Sequence, residues 1–139
     1  MKMLEQWRKR TKVGNELFSL RQLVAAQNHY HEAIELANQL LESQWQQPYV
    51  LTSFVVSYHN LAECLQRQDL PQQAQYYLRS CYDQLRALAQ SRTRTSNLQS
   101  AIIKSYLELN HHIQRFGCLQ ASLPRPLPDQ YYEFLPQEP

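Results

Sequence analysis

The sequence predicts an all-α protein built from antiparallel helical hairpins, and three observations support this prediction. The chain of 139 residues contains two glycines, and most of it consists of long stretches rich in Gln, Leu and Ala, which favour helix. Apolar residues recur at helical spacing in five successive segments. The breaks between these segments are short, as at Asp69, Leu70 and Pro71.

The segment 60–82 shows the hairpin pattern most clearly. It predicts one helix before the break at Asp69 and a second helix that folds back on the first. Ala62 on the first helix, with Ala74 and Cys81 on the second, provides small side chains where the two backbones approach. Because a hairpin of this size does not bury its apolar side alone, we expect further copies of it along the chain.

The amino-terminal part of the chain predicts two helices. Residues 3–27 have the apolar spacing of one long helix, and Gly14 is a weak point at which it is expected to bend or fray. Asn28 and His29 predict the turn, since Asn tolerates turn geometry and caps a following helix well. The second helix is expected over residues 30–43, with an apolar stripe formed by Ala33, Ile34, Ala37, Leu40 and Leu41.

Three more helices and a tail complete the prediction. Pro48 and Pro71 suit the first helical position and mark the starts of the third and fourth helices. The fifth helix has two candidate caps, Ser91 and Ser96, of which the internal repeat favours the earlier, and it stops at Gly117. Prolines predict an extended tail over 118–139. The chain is therefore divided into one helical domain, 1–117, and the tail.

The chain shows internal similarity at an offset of 41 residues. This offset aligns Leu20 with Leu61 and Ile102, and it places Ala33 over Ala74. One offset that superposes both the helix stripes and the alanines between helices indicates a repeated helix pair.

The residues L-A-E-C-L-Q-R-Q-D-L-P-Q-Q-A-Q-Y-Y-L at 61–78 resemble the tetratricopeptide repeat (TPR) family, and 23–37 resemble it more loosely. The likeness covers roughly 13–110, and a 41-residue spacing is similar to the long-helix variants of that family. It implies a short right-handed superhelix of two repeats with a closing helix. The sequence departs from the family where Arg21 and Ala62 replace a glycine of the first helix and Arg115 replaces an alanine.

The resemblance also implies a concave groove, lined by the first helix of each repeat, that holds an extended peptide or a helix. The family positions, carried onto this sequence, are Phe18, Gln22, His59, Glu63, Arg67, Lys104 and Glu108. These side chains are mixed in sign, which favours an ordinary solvated face over a clamp for a terminal carboxylate.

The tail contains a second candidate for binding. L-P-R-P-L-P at 123–128 is followed by Tyr131, Tyr132 and Phe134, so a stiff extended segment carries three aromatic side chains. We expect these aromatics either to fold back on the helices or on a neighbouring copy, or to remain free of contacts in a disordered tail.

Several functions are disfavoured by composition and motifs. Fourteen basic residues against twelve acidic ones give no strong field toward nucleic acid or a membrane surface. No nucleophile with a base and no glycine-rich phosphate loop is visible, so no enzyme activity and no cofactor is predicted. His29 and His31 lack further ligands at metal-binding spacing, and three cysteines without metal spacing fit a reducing, cytoplasmic compartment.

The sequence therefore predicts a cytoplasmic, non-enzymatic interaction module that holds a protein or peptide segment. Two alternatives stay open: a structural homo-oligomer, such as a homodimer, and an RNA-associated helical repeat protein. Because a fold does not determine a function, the choice between them depends on the site.

Overall fold

The computed structural model describes residues 2–92 and 95–117, and the regular structure in these two ranges is entirely helical. Its five helices are α1 (Lys2–Ser19), α2 (Leu23–Gln44), α3 (Val50–Arg67), α4 (Pro71–Ser91) and α5 (Ser96–Phe116). The prediction of an all-α protein is confirmed.

The same tight turn closes the first two helix pairs. Arg21 lies between α1 and α2 with φ of 61°, and Asp69 lies between α3 and α4 with φ of 65°. The next amide in each case donates a 2.9 Å hydrogen bond five residues back, to the carbonyl of Leu17 or Leu65. This bond across a residue with positive φ is the Schellman arrangement, and it satisfies carbonyls at the end of the helix.

The structure corrects the predicted repeat spacing. Asn28 and His29 lie inside α2, and the chain turns at Leu20–Gln22 instead. Positive φ recurs at positions 21, 69 and 117, so the helix pairs are 48 residues apart rather than 41. The two spacings differ by seven residues, which is close to two full helical turns. A shift of seven keeps the apolar stripe nearly in phase, and the stripe alone therefore did not reveal the error.

The first helix pair packs most closely around Gly14. A β-carbon built on Gly14 would lie 2.7 Å from Cε1 of Tyr30 on α2, which is too close for two carbon atoms. Helix α1 continues without a break through Gly14, so the helix does not fray there. Under the 48-residue spacing, Gly14 and Tyr30 correspond to Ala62 and Leu78.

Two helix starts also differ from the prediction. Pro48 lies in the turn before α3. Tyr49, which has φ of 72°, is the residue directly before the helix. Neither candidate cap of α5 is used: Ser91 is the last residue of α4 and Ser96 is the first residue of α5. The cap is Thr95, whose hydroxyl accepts a 3.1 Å bond from the amide of Leu98. Pro71, by contrast, is the first residue of α4, as expected.

Consecutive helices pack against one another, and α3 also contacts both α1 and α5. Equivalent hydrogen bonds join the helix pairs. The thiol of Cys64 donates to the carbonyl of Leu23 over 3.2 Å, and Nε2 of His112 lies 3.0 Å from the carbonyl of Pro71. Both carbonyls belong to the first residue of a second helix, so each pair docks on the next through the same position.

Candidate functional site: the seam between α3 and α5

Two concave regions lie along the seam between α3 and α5. The first, which we name the carboxyl-end groove, has a volume of about 360 Å³. The second, the amino-end pocket, has a volume of about 670 Å³. The groove is lined by His59, Ala62, Glu63, Gln66, Arg67, Leu78, Glu108, His111, His112, Arg115 and Phe116. The pocket is lined by Trp45, Gln46, Gln47, Pro48, Tyr49, Leu51, Thr52, Val55, Thr95, Asn97, Ser100, Ala101 and Lys104.

The carboxyl-end groove brings together four of the seven side chains that the sequence analysis selected. They are His59, Glu63 and Arg67 on α3 and Glu108 on α5. Nη2 of Arg67 lies 3.7 Å from Oε1 of Glu63, one helical turn away, and both side chains are largely exposed. An exposed pair of this kind contributes little to stability. Both groups therefore remain accessible to a ligand.

His59 is a partly buried ionisable group in the wall of the groove. Its Nε2 atom is buried and has no hydrogen-bond partner within the described part of the chain. Burial, followed by the positive charge of Lys104, lowers the pKa of His59 to about 4. The imidazole is therefore neutral near pH 7, and it offers one unused hydrogen-bonding atom at the wall of the groove.

His112 and Gln66 hold the two sides of the groove in register. Nδ1 of His112 on α5 lies 2.7 Å from the amide nitrogen of Gln66 on α3. Burial is the main cause that lowers the pKa of His112, which favours the neutral ring. A neutral ring with its proton on Nε2 accepts from Gln66 and donates to Pro71, so both nitrogens are used.

Lys104 lies apart from the other predicted residues, in the amino-end pocket. It is exposed, and it is the one charged side chain among the described residues that line this pocket. Tyr49 and Thr95, which precede α3 and α5, also line it. The amino ends of two helices thus meet here, and their helix dipoles add positive potential to that of Lys104.

Phe18 and Gln22 lie outside both regions. Phe18, near the end of α1, is half-buried, and the guanidinium carbon of Arg67 lies 5.7 Å from the centre of its ring. The sequence analysis placed Gln22 on the first helix of a pair. The structure instead shows it as the exposed residue before α2. The 41-residue register produced this misplacement.

Sequence reasoning missed His111 and Arg115, which line the carboxyl-end groove. They lie seven residues after Lys104 and Glu108, the residues that the shorter spacing selected. The corrected spacing aligns His111 with Glu63 and Arg115 with Arg67. Tyr49 in the amino-end pocket was missed as well, and its one sequence signal was an aromatic residue directly after Pro48.

The remaining predicted features give no further site. Tyr131, Tyr132 and Phe134 lie outside the described residues. Within residues 2–92 and 95–117, no group of three or more metal-ligating side chains is brought together. Cys64 and Cys81 are buried free thiols, and burial raises the pKa of Cys81 far above its usual range. Among the helices of the described ranges, none is long and apolar enough to cross a bilayer.

The fold and the seam define an all-helical protein of five antiparallel helices, with a polar, mixed-charge groove and an adjacent positive pocket along one seam. Residues 5–122 match the model of a family described as "Protein of unknown function (DUF2753)". The chain belongs to this family. No curated protein and no solved structure matches the sequence.

Proposed function

We propose that this protein is a non-enzymatic binding module that holds an extended segment of a partner protein along the seam between α3 and α5. The observation that carries the proposal is the convergence of His59, Glu63, Arg67 and Glu108 on one groove. Of these, His59, Glu63 and Arg67 lie on α3 at positions that the TPR resemblance implies to be ligand-facing.

The corrected spacing supports the likeness to TPR proteins on which this proposal also draws. In the 41-residue register, Arg21 replaced the family's glycine in the first repeat. In the 48-residue register, Gly14 takes that position, and it lies against Tyr30. Ala26 and Ala74 also become equivalent, and both are completely buried. We therefore propose that the helix pairs stack as a short TPR-like array of two repeats with α5 as the closing helix.

The chemistry of the groove suits a peptide backbone with charged side chains of both signs. Arg67 and Arg115 can pair with acidic groups, and Glu63 and Glu108 with basic ones. Helix α3 has 18 residues and so is about 27 Å long. Roughly eight residues of an extended chain span that distance.

Peptide display on the full-length protein tests the proposal. Selected peptides should lose affinity about tenfold when Arg67→Glu reverses the charge in the groove, since a charge-assisted contact is replaced by repulsion. The matched control is Arg10→Glu, which reverses an exposed charge on α1 outside the seam. Equal loss in both variants, or failure of every selected peptide to respond to Arg67→Glu, would overturn the proposal.

The alternatives make different predictions in the same preparation. A structural homo-oligomer would sediment as a defined oligomer whose size changes on dilution. An RNA-associated protein would bind heparin in a strongly salt-dependent manner. A monomer that elutes from heparin at low salt and still binds selected peptides would match the proposal alone.

A further inference from the structure

The amino-end pocket has the electrostatics of a site for an acidic segment. Lys104 is the one charged residue among its described lining, and no carboxylate lines it. The amino ends of α3 and α5 open into it beside Tyr49 and Thr95. A positive side chain and two helix amino ends together attract negative charge.

The pocket also has apolar walls that suit aromatic side chains. Trp45 is buried with 8% of its surface exposed, whereas Tyr49 has 68% exposed. Leu51, Val55 and Ala101 add aliphatic surface. An occupant that combines acidic groups with aromatic rings would match both the charge and the apolar surface.

The chain carries such a segment beyond α5. Residues 118–139 lie outside the described residues, and their sequence ends in D-Q-Y-Y-E-F-L-P-Q-E-P at 129–139. This stretch contains three acidic residues, Asp129, Glu133 and Glu138, and no basic one. Its three aromatics lie among these acids, so charge and apolar surface occur together as in the pocket.

The length of the tail fits the distance it would have to cover. The chain leaves α5 at Gly117, whereas the pocket lies at the other end of that helix. Helix α5 has 21 residues, which corresponds to about 31 Å. The 14 residues from Gly117 to Tyr131 span about 43 Å in a polyproline conformation. The proline-rich stretch 123–128 stiffens this spacer and lowers the entropy lost on docking.

The carboxyl-end groove is a poorer match for the same segment. Glu63 and Glu108 line it together with Arg67 and Arg115, so its positive charges are offset. An acidic segment would meet repulsion there, while the amino-end pocket presents none from its described residues.

We propose that the acidic aromatic segment 129–139 occupies the amino-end pocket of its own chain and competes there with partner segments. This inference rests on the proposed function, because the partner would extend along the same seam. The aromatic residues Tyr131, Tyr132 and Phe134 supply the apolar contact, and Asp129 and Glu133 face the positive potential around Lys104. The protein would then be a self-occupied binder that opens when a partner displaces the segment.

A labelled synthetic peptide of residues 127–139 provides the test, with binding followed by fluorescence anisotropy. Two full-length receptors are compared, the natural chain and a variant in which Tyr131, Tyr132 and Phe134 are all changed to Ser. The variant should bind the probe at least about tenfold more tightly, because its own segment no longer fills the pocket. Adding Lys104→Glu to the variant should remove that gain. Lys12→Glu, the same charge change on the exposed side of α1, should leave it unchanged.

The outcomes separate this inference from the proposed function. Equal probe affinity in both receptors, or affinity that ignores Lys104→Glu, would overturn the self-occupied arrangement. A third result would also overturn it: a natural chain that binds the probe weakly as a dimer but tightly after dilution to the monomer. The segment in the pocket would then come from a second copy. In each of these cases, a display-selected peptide that still depends on Arg67 would leave the proposed function intact.

Discussion

Gly14 on α1 lies directly beneath the ring of Tyr30 on α2, with no room for a β-carbon between them. The hydroxyl of Tyr30 donates a 2.7 Å bond to Oδ1 of Asn15, and burial is the main cause that raises its pKa to about 12. Ala62 on α3 and Leu78 on α4 lie 48 residues after Gly14 and Tyr30, and both are buried. If the helix pairs are equivalent, as proposed, a large ring beside glycine and a smaller side chain beside alanine fill the same helix contact.

Gly14→Ala should destabilise the protein despite its benefit to helix propensity. The added methyl group clashes with Tyr30 and costs about 1–3 kcal/mol, while replacing glycine within a helix contributes about 1 kcal/mol in return. Urea unfolding should therefore show a net loss. The double variant Gly14→Ala with Tyr30→Leu copies the residues at positions 62 and 78. Its loss in free energy of unfolding should be smaller than the sum of the losses in the two single variants. Strict additivity would contradict the equivalence of the two pairs.

Substitutions at the two candidate turns should have opposite signs. Arg21 has positive φ, so Arg21→Gly should raise the free energy of unfolding by about 1 kcal/mol. Asn28 is exposed within α2, and Asn28→Gly should lower it by a few tenths of a kcal/mol. Thermal melts of both variants provide the measurement. If Asn28→Gly stabilised the protein and Arg21→Gly destabilised it, the results would support a turn at Asn28 rather than at Arg21.

The stability of the protein should fall on mild acidification, in part through His59. Its pKa is about 4 in the folded chain and about 6.5 when unfolded. Between these pH values the unfolded chain binds a proton that the folded chain does not, so the free energy of unfolding decreases as pH falls from 6.5 toward 4. The total effect is at most about 3 kcal/mol.

His59→Leu, which introduces the residue type found at the equivalent position 107, should make denaturant unfolding less dependent on pH over this range. Burial also lowers the pKa of His31 and His112, so part of the dependence should remain. His111→Leu, an exposed change on α5, is the matched control. An unaltered pH profile in His59→Leu would show that the ring is hydrated in solution.

His112 should be a structural residue of the seam. His112→Ala leaves the carbonyl of Pro71 and the side-chain amide of Gln66 without their partners, and each lost hydrogen bond costs about 0.5–1.5 kcal/mol because both groups are only partly buried. His111→Ala, at the adjacent exposed position, should change stability by less than about 0.5 kcal/mol. Equal melting temperatures for the two variants would contradict this role.

The features that the sequence predicted correctly depend on local backbone chemistry. Proline at position 71 has no amide to lose and starts α4, while Gly117 tolerates a positive φ and follows the end of α5. The turn at Arg21 has no such signal, because arginine seldom takes a positive φ and neither glycine nor proline flanks it. The sequence therefore predicted the turn at Asn28, a residue with a turn preference that lies seven positions later.

The candidate site was predicted in part for the same reason. His59, Glu63 and Arg67 were placed correctly on α3, because Pro71 marks the start of α4 and so fixes where α3 ends. Residues of α1 and α5 were transferred with a spacing that was seven too short, which selected Lys104 and Glu108 in place of His111 and Arg115. The amino-end pocket depends on how the turn at 45–49 meets the start of α5, and helix periodicity carries no information about that meeting.

The sequential packing of the helices affects how the chain reaches its native state. Helices that follow one another in sequence also touch one another, so most long-range contacts close loops of modest length. Low contact order favours folding in milliseconds or less. Helix α3 packs against all four other helices, whereas α1 and α5 each pack against two, and we infer that the molecule unravels from its ends while the α2–α3–α4 interior remains assembled longest.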